Sequence, residues 1–208
     1  MPRKLESVFM SISWSLVPLS HALAFTLAVL ARLILASRRP GARPLAFGAS
    51  DSAREFTARC FYVWVPLLDF AFVGMYAWAG TPGPALWPGW ALAGPLRWTG
   101  TALLAAGLVW VALAQAAMGS GWRMGVDDAH DGELLTDGLF ARSRHPVYSG
   151  IRVTLFGQLL VIASWPALCL WAVAEVLVQQ QARFEEEAMQ ARHGAAYRDY
   201  CARVRRWV

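Results

Sequence analysis

The sequence predicts an all-α integral membrane protein with about five transmembrane helices, and three observations carry that reading. Of its 208 residues, 57% are hydrophobic and only 16% are charged, where a soluble domain of this size carries nearer a quarter. The apolar residues gather into five blocks long enough, alone or as a hairpin, to be membrane helices. Many of the eleven tryptophans stand at the ends of those blocks, where an aromatic belt meets the headgroups. The net charge of +5 is almost wholly arginine, Lys4 being the only lysine. Arginines spaced between oily runs fit loops against anionic headgroups and do not suggest nucleic acid. Arginine over lysine, with abundant alanine, points to a GC-rich genome and so to a bacterial inner membrane. One domain over 1–208 is expected, with amino-terminal spans in 1–117 and a second half in 118–208.

The first block, residues 11–36, is a retained span, too long for the core of a cleavable signal. Pro18 and His21 interrupt it. A proline is tolerable there because neighbours can satisfy the freed carbonyl. His21 reads as a histidine hydrogen-bonded inside the bundle near one end, or as a functional polar group. Residues 37–59 carry Arg38, Arg39, Arg43, Arg54 and Arg59 and are read as cytoplasmic. Within them 51–59 should be a short helix capped by Ser50 or Asp51, with Glu55 in reach.

Residues 60–79 form the second expected span, bent at Pro66. Asp69 near its middle should face the bundle interior and pair with an arginine or His21, or lie near a ligand. Residues 80–96, rich in Gly, Pro and Trp, read as a short external loop. Residues 98–118 are the third span, with Gly100 and Gly107 as close-packing points. Residues 146–163 and 166–181 make a tight helical hairpin around Ser164-Trp165-Pro166, with Arg152 and Glu175 placed to pair across it. The charged segment 182–206 cannot span. It reads as a cytosolic helix, broken near Gly194, with Arg203, Arg205 and Arg206 toward headgroups. The amino end is then outside and the carboxyl end inside. Cys60, Cys169 and Cys201 have no metal spacing and read as small buried hydrophobes or idle thiols.

The chemistry centres on residues 132–148. Arg144-His145-Pro146 stands where a polar loop turns into a membrane helix. Proline suits the first helical position, and the helix start leaves free N–H groups and a positive dipole end that would welcome a ligand carboxylate. Tyr148, near the start of that helix, can hydrogen-bond a ligand. Glu185, Glu186 and Glu187 open the tail helix and could bind an amino group, bind hydroxyls or balance a cation. The residues alone leave a second reading open: a headgroup-facing loop and a solvated glutamate turn. No metal, P-loop, dinucleotide or Ser/His/Asp signature is present.

Taken in order, Gly138-Leu139-Phe140, Arg144-His145-Pro146-x-Tyr148, the hydrophobic hairpin, Glu185-Glu186 and Gly194-x-x-Tyr197-x-x-Tyr200 resemble the isoprenylcysteine carboxyl methyltransferase family across residues 118–206. Gly121-Trp122-Arg123-Met124-Gly125-Val126-Asp127 is similar to its bacterial members. The resemblance implies a membrane methyltransferase with S-adenosylmethionine held by cytoplasmic segments and a lipophilic small-molecule or lipid acceptor. It implies donor contacts from Glu133, Leu134 and Leu135 through the backbone, and from Phe140, His145, Pro146, Val147, Tyr148 and Glu185. Glu186, Arg183 and Arg203 become the candidates for catalysis and acceptor holding. Relatives often have an arginine at the position of Gln181, so a carboxylate acceptor is not assured; a thiol or amine stays open. Two other classes compete: an NADPH-dependent membrane reductase of the sterol-reductase type, and a non-catalytic membrane protein that has kept the fold.

Overall fold

A computed structural model of the chain describes residues 2–38, 45–46, 52–79, 94–119, 124–125 and 134–208. The protein is a helical bundle. Helix α1 spans Pro2–Ser37; a short helix α2, Ala53–Arg59, passes through a π-helical turn, Cys60–Trp64, into α3, Val65–Ala79. Helix α4 is Gly94–Ala117, α5 is Pro146–Ile162, α6 is Trp165–His193 and α7 is Ala195–Arg203. A two-residue parallel pairing, Leu45 with Met124 and Ala46 with Gly125, ties two connecting segments together. The external loop expected at 80–96 and the motif at 121–127 lie largely outside the described residues.

The centre of the bundle is the pair α4 and α5, whose backbones touch. A Cβ on Gly100 would come within 2.7 Å of the Gly157 carbonyl, and one on Gly157 within 2.8 Å of the Gly100 carbonyl. Lower down, a Cβ on Gly107 would meet the Thr154 methyl at 2.5 Å. Small residues are what allow such an approach in lipid, where packing rather than water expulsion holds helices together. Helix α1 runs alongside α4: Arg32 donates to the Gln115 and Gly119 carbonyls at 2.8 Å, satisfying the open end of α4. Two stretches, Leu16–Ser37 and Gly94–Ala117, are long and apolar enough to cross a membrane. Leu27, Trp98, Val109 and Val176 point outward, a dense apolar exterior that suits lipid and would be a liability in water.

Several expectations need adjustment. Helix α1 starts nine residues before the apolar run, because nothing in that polar start breaks a helix; the run marks a hydropathy boundary and not a helix boundary. The α2 cap is Ser52, accepting from the Glu55 amide at 3.2 Å; Ser50 and Asp51, expected in that role, lie outside the described residues. Above all, α6 does not stop near residue 181. With no Gly or Pro between Pro166 and Gly194, it carries on as one 29-residue helix. Glu185–Glu187 therefore sit far along a continuous helix and do not form an N-terminal turn. The break does fall at Gly194, whose φ of 54° suits only glycine. The hairpin forms as expected: Ala163 takes a left-handed φ of 45° and Ser164 caps α6 through the Ala167 amide. Across it Arg152 Nε meets Glu175 Oε2 at 2.9 Å.

Candidate functional site

The site is built where the loop before α5 meets α6 and the chain terminus. A 3₁₀ turn at Gly138–Ala141 leads into Ser143 and Arg144, which are gripped by the tail: the Arg144 amide donates to the Arg205 carbonyl at 2.9 Å and the Ser143 hydroxyl to the Arg206 carbonyl at 2.9 Å. Tyr200 of α7 donates to the Phe140 carbonyl at 2.7 Å. The loop is thus held by two tail carbonyls and the Tyr200 hydroxyl, from residues some sixty positions away, which fixes the start of α5. Pro146 takes the first helical position, and its carbonyl accepts from Trp110 of α4 at 2.9 Å. No side chain caps α5, so the N–H groups of its first turn keep their donor capacity.

His145 stands between two carboxylates. Its Nδ1 lies 3.5 Å from Glu185 Oε2 and its Nε2 lies 3.2 Å from Glu186 Oε1. Burial lowers its pKa, but hydrogen bonds to both glutamates and their charges outweigh that and leave it raised. The doubly protonated ring can donate to both carboxylates at once. Glu186 also takes Arg206 in a fork, with Nε at 2.9 Å and Nη2 at 2.6 Å, and Arg144 Nη2 at 3.3 Å. Burial would push the Glu186 carboxyl up, but the hydrogen bonds from His145 and Arg206, with the Arg144 charge, hold it at about 2. Glu185 is engaged differently. Tyr148 donates to its Oε1, and the Tyr148 hydroxyl also meets Tyr62 of the π-helical turn at 2.8 Å.

These groups form one end of a cavity of about 380 Å³. Phe140, Arg144, His145, Pro146, Val147, Tyr148 and Glu185 line that end; the body is walled mainly by apolar residues of α1, α3 and α5. Arg144 brings a buried Nε with no hydrogen-bond partner. A pocket with an apolar body and a few convergent polar groups is how small-molecule sites are usually made. The polar end offers a carboxylate with spare acceptor capacity, an unpartnered guanidinium nitrogen and the start of a helix, a set that fits a zwitterionic amino-acid group.

Of the other residues singled out from the sequence, Leu134 and Leu135 are described but do not line the cavity, and Glu133 lies outside the described residues. Glu186 is turned away from the cavity into its arginines. Arg183 and Arg203 are exposed and donate to carbonyls of their own helices, Gln179 at 3.0 Å and Asp199 at 3.2 Å. Arg206, expected at the headgroups, folds inward instead because Glu186 captures it. Sequence reasoning missed Tyr62, which looks like any belt aromatic at the end of an apolar run. Asp69 pairs with Gln158, which donates to it, and not with an arginine or His21. His21 lies against the backbone of Leu104, within the bundle.

Residues 98–191 match the Isoprenylcysteine carboxyl methyltransferase (ICMT) family. That stretch holds most of α4, the loop, α5 and Glu185–Glu186; it ends before α7 and the tail arginines. No curated protein matches the chain.

Proposed function

We propose, from the match of residues 98–191 to the isoprenylcysteine carboxyl methyltransferase family, that the chain is an S-adenosylmethionine-dependent membrane enzyme methylating a lipophilic small molecule or lipid. The observation that carries this reading is the cavity with Arg144, His145, Tyr148 and Glu185 at one end and an apolar body behind them. Glu185 would hold the donor's amino group, and Arg144 with the first turn of α5 its carboxylate. Phe140 and Val147 would pack against it. Tyr148, anchored by Tyr62, keeps Glu185 in one rotamer. Glu186 acts through others: it fixes His145, Arg144 and the tail. The donor supplies a methyl already activated on a sulfonium. The protein's part is alignment and exclusion of water.

The apolar body gives the acceptor its place between α1, α3 and α5, reached from lipid, while the polar donor comes from the cytoplasmic side. We infer five spans, α1, α2–α3, α4, α5 and α6, with the loop before α5 and the carboxyl terminus in the cytoplasm, by the arginines between Arg32 and Arg59. Residues 1–117 then supply most of the acceptor wall and 118–208 the donor wall. Incubating the purified protein with methyl-labelled S-adenosylmethionine and bacterial lipid extract tests the activity. Label in the organic phase is expected; binding of NADPH with no affinity for S-adenosylmethionine would sink the reading in favour of a reductase.

A further inference from the structure

The same cavity has a second polar end. Its lining includes His21 from α1, Asp69 from α3 and Gln158 from α5. Gln158 donates to Asp69, and among the described residues no cation pairs with that carboxyl. The His21 ring is held by a backbone contact with Leu104, and its buried Nε2 has no hydrogen-bond partner. Gln158 lies ten residues beyond Tyr148 on α5, about 15 Å along the helix. Ionisable groups at that depth are costly, and a pair of leucines would pack there at no such cost. Three helices nonetheless each turn a polar side chain onto one cavity, among mainly apolar walls.

We propose that this deep end is a recognition subsite for a hydroxyl group, so that the acceptor is a lipophilic molecule carrying an alcohol or phenol far from the donor end. The proposal rests on the donor reading only for the word acceptor. A hydroxyl donates and accepts at once: it can donate to the bare His21 nitrogen and accept from the Asp69 carboxyl in its protonated form, whose other oxygen takes Gln158. A carboxylate ligand has no hydrogen to give the His21 nitrogen and would add a buried charge. An ammonium would have to cross the apolar body as a charge. The hydroxyl pays neither penalty, and a site built around it rejects analogues that cannot donate, because its own buried polar groups are then left unpaired.

The test uses twelve-carbon photoreactive probes with a mid-chain diazirine, ending in an alcohol, a methyl ether or an ammonium, and protein in lipid nanodiscs without donor. Labelling of α1, α3 and α5 peptides is quantified by mass spectrometry. The alcohol should label at least about tenfold more than the ether. Asp69→Leu/Gln158→Leu, and separately His21→Phe, should erase that preference while leaving affinity for S-adenosylmethionine unchanged. Equal labelling by alcohol and ether in the unaltered protein, stronger labelling by the ammonium, or a preference that survives both variants overturns the proposal. The comparison in the unaltered protein needs no variant to fold. Failure to bind S-adenosylmethionine in a parallel calorimetric run would strike the donor reading and leave the probe comparison standing.

Discussion

Glu185 and Glu186 are neighbours on α6 and share His145 between them, yet their other partners differ. Glu186 is saturated by Arg206, Arg144 and His145, whereas Glu185 keeps acceptor capacity toward the cavity. Tyr148→Phe removes a folded-state hydrogen bond to a charged group, worth about 1.5–3 kcal/mol, so the melting temperature should fall by several degrees and, with Glu185 free to turn, donor affinity by calorimetry should fall as well. The His145–Glu186 contact makes the site pH-sensitive in a definite sense. The Glu186 carboxyl, lowered to about 2 from 4.5, contributes stability that is whole above that ordinary value and is lost as pH falls through about 2. His145, raised from 6.5, contributes stability that is whole below 6.5 and is lost as pH rises through its higher folded value. Thermal stability of the loop and tail should therefore be greatest between roughly pH 5 and 6.5 and decline in alkali; a maximum above pH 8 would contradict the pairing. His145, Tyr148 and Glu185 were legible as a set only through their resemblance to a family, since a histidine before a proline and a glutamate in a helix carry no signal alone. Arg206 was not legible: one basic residue near a chain end reads as a headgroup contact until Glu186 is seen beside it.

At the scale of elements, hydropathy located the long helices because burial in lipid demands continuous apolar runs. It could not locate their ends, which depend on breakers and caps. That is why α6 was cut short at the last apolar turn while its backbone went on to Gly194. The glycines of α4 and α5 were visible, but their partners across the interface were not, because register between helices is a property of two sequences packed together. Gly157→Ala would drive a Cβ against the Gly100 carbonyl and the Leu104 amide, at 2.8 and 2.9 Å. Backbone atoms cannot yield as a side chain would, and a loss of about 1–3 kcal/mol is expected, read as a lower melting temperature in detergent. The tail is the other element on which the site depends. Arg206→Ala leaves Glu186 short of its fork and loosens the grip on Ser143 and Arg144. Because Arg206 is partly solvated, the cost should be modest, about 1–2 kcal/mol, with faster proteolysis after Tyr200 as the visible sign.

At the scale of the whole molecule, the bundle encloses one cavity with a polar end and a mainly apolar body. One end is lined by charged groups from the loop and α6, and the rest is walled by helices whose outer faces are apolar. On the proposed function, that arrangement would give a water-soluble methyl donor and an oily acceptor a common place to meet. The central claim is that Glu185 marks the donor end. Isothermal calorimetry on detergent-purified protein, titrating S-adenosylmethionine into the unaltered chain and into Glu185→Ala, tests it most directly. Saturable binding to the unaltered chain and none measurable to a folded Glu185→Ala protein is the expected result; equal affinity for both would contradict the account.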